Sequence, residues 1–472
     1  MNQIKKVSKK IILAYCIPQF AVGLFTAMIS NYLLYFYQPS KESGIPTLIT
    51  QGVVVLGILT FIGFVKAVGH IIDAVTDPLV ANLSDKSRNK KGRRIPFMKY
   101  AAIPFGLSAL LIFCAPQNTP GLVNNIWVAV FIWAYFVFYT LYMIPHNALL
   151  PEMITDTKER VNVYTFNSLF FVTGSALGYV TPALVGMFKN AGLDVLLAWR
   201  ATFAIFTVVG IILLLIPAVM IKEREYVNSV RPTVSLMQSL KHAFSNKHFR
   251  WVTLGQLLEG TAMSFFQSCI MYYVTSLMGL PETASVAILA ISIVGSLCLY
   301  PLISKWGKKS GKRKPIIWGC VVFTIAEFII CFGADMPGPA MVKACGLALF
   351  VSFPFAVLNI LPGSMMADVI QYDTLITGIN QEGIFSAARS FITKLGTSLA
   401  IMIVPSLTVI GAAAGENIGR TGLKVTALVG GLFCLGAVIA FIKYREDEVL
   451  GLIRQKGEKQ EKEACLLYTS PS

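Results

Sequence analysis

Long, nearly uncharged apolar runs recur along almost the whole of this 472-residue chain, and they decide what it can fold into. A run of about 20 apolar residues is long enough to cross the hydrocarbon of a bilayer as a helix. In hydrocarbon each backbone polar group must be bonded within its own segment, which leaves the helix as the natural form for such runs. Twelve spans are expected, at 11–38, 51–82, 95–115, 125–150, 164–188, 199–221, 251–278, 284–304, 315–333, 341–366, 384–412 and 422–443. The 51–82 run is read as a single span because nothing in it reads as a turn. The expected fold is an all-α membrane protein, and the bilayer is its first partner. A monomer is expected.

Charge then sets the orientation. The net charge is +16, which in a soluble chain would suggest nucleic-acid binding. Here the basic residues concentrate on alternate loops: Lys5, Lys6, Lys9 and Lys10, the loop 86–94, Lys158 with Arg160, the central segment, the loop 305–314, and the C-terminal tail. That is the positive-inside pattern, so both termini are expected in the cytoplasm, with the chain in a bacterial inner membrane. No nucleic-acid partner is expected. The first apolar run is too long for a cleaved signal and reads as the first span. The nine cysteines lie singly, with no CxxC pair, and read as packing residues.

The middle of the chain divides it. Residues 222–250 are polar and basic and read as a cytoplasmic linker between a six-helix bundle at 1–221 and another at 251–445, with a tail at 446–472. The last nine residues, ACLLYTSPS, read as a non-native extension. The two halves echo each other. Gly92-Arg93-Arg94-Ile95-Pro96 follows the second span, and Gly311-Lys312-Arg313-Lys314-Pro315 follows the eighth. Ile144-Pro145 and Leu361-Pro362 match at nearly the same offset, as parallel repeats would. Asp85, Gly92, Arg93, Arg94, Gly311, Lys312 and Arg313 are therefore read as gating-loop residues.

A charge at bilayer depth is costly and is expected to face protein or water. The second span carries Lys66, His70, Asp73 and Asp77 at spacings that place all four on one helix face. Two carboxylates one turn apart repel unless a cation or a proton lies between them. Asp73 and Asp77 are thus a candidate cation site, to which Thr76 and Thr140 can add the oxygens a hard cation such as sodium prefers. The bland alternative is a salt-bridge ladder with Lys66. Lys394, in mid-span in the second half, is a candidate counter-charge, and His70 a candidate proton relay or a hydrogen-bonded structural residue. His146 carries the same ambiguity. Glu259 is a weaker candidate for substrate or proton contact, and Glu327 reads as an acid paired locally. Trp127, Trp199, Trp251 and Trp306 read as interfacial belt. Trp133 and Tyr139 lie deeper and are candidate stacking platforms, with core packing as the commoner fate.

The stretch IIDAVTDPLVANLSDKSRNKKGRRIPFM at 71–98 resembles the most characteristic segment of the glycoside–pentoside–hexuronide:cation symporters, a branch of the major facilitator superfamily. IPHNALLPEM, ADVIQYDTLITGINQEG and FITKLG resemble the same family, so the likeness runs through both halves. The resemblance implies the major facilitator fold, with cation binding at Asp73, Asp77 and Thr140 and a nearby lysine at Lys394. It transfers less well to the sugar site. The first span has no acid, and Met143 and Asn147 occupy the two sugar-binding positions of the fourth span. Asn167 stands where the family usually has an arginine. Asn147, Asn167, Tyr139 and Glu259 remain as candidate substrate contacts.

The expected function is sodium- or proton-coupled symport of a sugar, glycoside or sugar acid by alternating access. The alternative is a same-fold symporter of a lipid-like or other non-sugar solute. No enzyme is expected, since no nucleophile triad, metal cluster or phosphate loop is present in the sequence, and no cofactor is expected beyond the coupling ion.

Overall fold

The computed structural model describes residues 7–55, 59–87, 89, 92–154, 157–226, 243–333, 335, 337–377, 382–413 and 416–456. It is helical throughout, apart from one short strand pair. The first span is broken into the helices Lys9–Cys16, Pro18–Ala27 and Leu33–Tyr37, with a π-turn at Met28–Tyr32 between the last two. The other long helices are Phe61–Lys86, Ile95–Leu111, Leu122–Met153, Thr157–Tyr179 continuing as Thr181–Asn190, and Val195–Met220. The second half has Lys247–Tyr272, ending in a π-turn at Tyr273–Leu277, and then Ala284–Ser310, Arg313–Gly333, Ala340–Thr377, Glu382–Thr408 and Arg420–Lys443. Nine stretches among the described residues are long and apolar enough to cross a membrane. The helices Phe61–Lys86, Ile95–Leu111 and Lys247–Tyr272 lie where three more spans are expected and fall outside that nine.

The 51–82 run differs from expectation. Val53–Val55 and Leu59–Thr60 pair as antiparallel strands, and the helix starts only at Phe61. The cause is local. Three β-branched valines favour extended backbone, and Thr60 caps the helix by accepting the Gly63 N–H at 3.3 Å. The tail also differs in part, since 446–456 is helical.

The chain forms two compact units. The first comprises Met1–Pro232, Gln267–Ala287 and Ile401–Leu423, and the second Thr233–Phe266, Ile288–Ala400 and Lys424–Ser472. Within the first, Pro18–Ala27 packs on Thr157–Tyr179 backbone to backbone. A β-carbon on Gly174 would run into the Phe20 carbonyl, and one on Gly23 into the Phe171 carbonyl. Lipid offers no hydrophobic drive between helices, so such close approach through small residues is what holds them.

Trp199 is not interfacial. It is fully buried, with ring centroids 5.6 Å from those of Tyr32 and Phe203. Near it, Tyr35 donates to Glu282 Oε1 at 2.8 Å, Tyr272 donates to the Gln38 carbonyl at 2.8 Å, and Gln38 donates to the Pro405 carbonyl at 3.1 Å. These bonds explain why the segments 267–287 and 401–423 belong to the first unit.

Candidate functional site

The Phe61–Lys86 helix has two unlike faces. Ile71, Val75, Leu79 and Leu83, four residues apart, are exposed and form an apolar stripe suited to lipid. Lys66 and Asp73 are buried, while His70 and Asp77 are half-buried. Asp73, 4 % exposed, meets the Leu122–Met153 helix, where the Thr140 hydroxyl donates to its Oδ1 at 2.7 Å. Thr76 Oγ1 lies 3.3 Å from Thr140 Oγ1 and 2.8 Å from the Ile72 carbonyl. Three of the four residues expected at the cation site, Asp73, Thr76 and Thr140, are therefore in mutual contact, and Asp77 stands one turn along the same helix. Oxygen donors of this kind suit a hard monovalent cation or a proton. Among the described residues, no group of three or more His, Cys, Asp and Glu gathers as a transition-metal site would.

The accessory candidates are distributed differently. The His70 ring packs 4.6 Å from Phe136. Trp133 donates its indole N–H to the Val65 carbonyl at 3.0 Å, which fixes it to the helix of the cation site. Tyr139 belongs to an aromatic group, 5.7 Å from Phe105 and 6.4 Å from Tyr135. Asn147 is exposed, and Asn167 is buried with its Oδ1 lacking a hydrogen-bond partner. His146 is fully buried, stacked 4.2 Å from Tyr15 and bonded to its carbonyl at 2.9 Å, a structural setting.

The second unit holds Glu259 and Lys394. Glu259 is buried with Oε2 unbonded. One helical turn before it, Gln256 accepts from Arg389 Nε at 2.7 Å and donates to the Pro362 carbonyl at 2.7 Å. Lys394 is half-buried on the Glu382–Thr408 helix. Glu327 departs from expectation. It is 0 % exposed, and neither carboxyl oxygen has a hydrogen-bond partner. The glycine pair Gly430-Gly431 lets the Arg420–Lys443 helix close over it. Sequence alone does not say which face of Arg313–Gly333 a neighbour covers.

The repeated loops are built alike. Gly92 has φ +125° and Gly311 φ +82°, conformations that favour glycine. In the first, the Glu223 carboxylate accepts the backbone N–H groups of Arg93, Arg94 and Ile95 at 2.7, 2.8 and 3.0 Å. Arg93 and Arg94 reach Glu152 at 3.2 and 2.8 Å, and Arg94 also donates to Ser84 at 2.7 Å. In the second, Glu446 accepts from the N–H groups of Lys312 and Arg313 at 2.6 and 3.1 Å, and Lys312 pairs with Asp368 at 2.6 Å. Burial pushes the Glu446 carboxyl up, and the two N–H bonds oppose that. The side chain of Asp85 lies outside the described residues. Glu223 and Glu446 escape a reading based on spacing within the loops. Their signal is weaker: each is an acid just beyond the last apolar run of its half, among basic residues.

Comparison with known proteins follows this geometry. Residues 14–448 match the family described as MFS/sugar transport protein. The chain is 24% identical over 385 residues to the putative glycoside/cation symporter YagG of Escherichia coli (strain K12), covering 80% of this chain and 81% of that one. It is 23% identical over 388 residues to an isoprimeverose transporter of Lactiplantibacillus pentosus, covering 82% and 77%. A partially occluded inward-open structure of the xylose transporter XylE from E. coli superposes with a TM-score of 0.60 at 16% identity, covering 92% of this chain and 98% of that one.

Proposed function

Because the chain belongs to the MFS/sugar transport family, we propose that it is a cation-coupled symporter of a sugar, glycoside or sugar acid. In this reading twelve spans form six-helix halves at 1–221 and 251–445, joined through 222–250, with both termini in the cytoplasm of a bacterial inner-membrane protein. The observation that carries the reading is the buried Thr76–Thr140–Asp73 cluster. A carboxylate at that depth is costly without a counter-charge. A sodium ion or proton on Asp73, shared with Asp77, supplies it. Binding would then favour the arrangement in which substrate can also bind, and alternating access carries both across. The relatives named as a glycoside/cation symporter and an isoprimeverose transporter support the substrate class. Asn147 and Asn167 are proposed as polar contacts to substrate.

The test is uptake of radiolabelled sugars into proteoliposomes under an imposed sodium or proton gradient. One of the two gradients is expected to drive accumulation above equilibrium. Equal uptake with and without either gradient, or transport of lipid-like solutes alone, would overturn the proposal.

A further inference from the structure

Where the helices Ile95–Leu111 and Val195–Met220 meet at one end, a cavity of about 360 Å³ opens on the surface of the first unit. Its floor is apolar, made by Ile95, Pro96, Ala218 and Ile221. Its rim carries three exposed cations, Lys99, Lys222 and Arg224, against one carboxylate, Glu225, which lies 3.8 Å from Lys222. Arg224 also donates to the Asn89 carbonyl at 3.4 Å, which holds its guanidinium at the rim.

Two apolar stripes run from this cavity along the same helices. Tyr100, Ile103 and Leu107 share one face of the first helix, and Val208, Ile212 and Val219 share one face of the second. All six are exposed, Tyr100 at 75 % and Val219 at 82 %. In a membrane-spanning chain such stripes face acyl chains. A cationic rim at their end faces the headgroup layer, where each added cation strengthens binding to anionic lipid.

We propose that this cavity binds an anionic glycerophospholipid. Its phosphate would sit among Lys99, Lys222 and Arg224, where a guanidinium and two ammonium groups can share the phosphate oxygens, and its chains would lie along the two stripes. The inference rests on membrane embedding and is independent of the transported substrate.

Native mass spectrometry of the full chain, released from nanodiscs of mixed phosphatidylglycerol and phosphatidylcholine, tests it. Wild-type protein is expected to retain phosphatidylglycerol preferentially. The Lys99→Gln/Lys222→Gln/Arg224→Gln variant is expected to lose that preference by about tenfold or more. A second triple variant, Lys305→Gln/Lys308→Gln/Lys309→Gln, removes the same charge from the other basic loop and should keep it. An unchanged preference in the first variant, or an equal loss in both, overturns the proposal. Inorganic phosphate distinguishes the remaining source: if phosphate alone raises the thermal midpoint in detergent as much as phosphatidylglycerol does, the cavity is a free-phosphate site and the lipid assignment fails.

Discussion

Thr140 reaches Asp73 with the shortest hydrogen bond of the cation cluster, and single substitutions there should be the most informative. Thr140→Ala strands Asp73 Oδ1 without its donor, a loss of about 1–3 kcal/mol in a buried site. Transport should then need on the order of ten- to hundredfold more coupling cation for half-maximal rate, and Thr140→Ser should restore it. Unchanged cation dependence in proteoliposomes would remove Thr140 from the site. Glu327 calls for the opposite experiment. Its carboxyl is buried with no hydrogen bond, so Glu327→Met, of similar length, should raise the unfolding free energy by about 1–3 kcal/mol. A lower thermal midpoint in detergent would show that the acid is stabilising where it stands. The two residues also differ in how readable they are. Asp73 announces itself because a second acid follows one turn later, while Glu327 is a lone acid whose surroundings depend on helix rotation.

Elements are joined here by carboxylates and by bare backbone. Glu223 accepts three successive N–H groups at the start of Ile95–Leu111, where the helix dipole also favours negative charge. Glu223→Ala should lower stability by on the order of 2–4 kcal/mol, since each buried donor left open costs about 1 kcal/mol or more; a loss below 1 kcal/mol in thermal or denaturant unfolding would show that water takes its place. Gly174→Leu should be far worse, because its side chain would have to pass through the Phe20 carbonyl, and overpacking without room to relax prevents helix docking. Membrane-inserted protein at wild-type yield would contradict the close approach. The gating loops were legible because glycine and basic residues recur at one spacing. The hairpin at 53–60 was not, since three valines read equally as a buried strand or as part of a membrane helix.

For the molecule as a whole, the alternate-loop distribution of lysine and arginine predicts both termini in the cytoplasm. A reporter fused after Glu463 should be active only on that side, and periplasmic activity would invert the topology. The charge bias and the apolar runs are one-dimensional properties, so the sequence carries them fully. The expected pairing of Lys394 with the acids of the second span is not of that kind. Asp73 and Lys394 fall in different units, and their coupling is a matter for measurement. A double-mutant cycle of Lys394→Ala with Asp73→Ala or Asp77→Ala, read as thermal stability, should show an interaction of about 0.5–3 kcal/mol. Additivity with both acids would remove Lys394 as their partner.

The π-turns at Met28–Tyr32 and Tyr273–Leu277 have a genetic consequence. A π-turn is equivalent to one residue inserted into an α-helix, and thus to one codon gained in an ancestral gene. Deleting a single codon within 28–32 should restore regular helix and turn everything beyond it by about 100° about the axis. Tyr35 and Gln38 would swing away from Glu282 and the Pro405 carbonyl, which they now meet. An in-frame loss of three nucleotides would then abolish contacts that no point substitution in those five residues could reach.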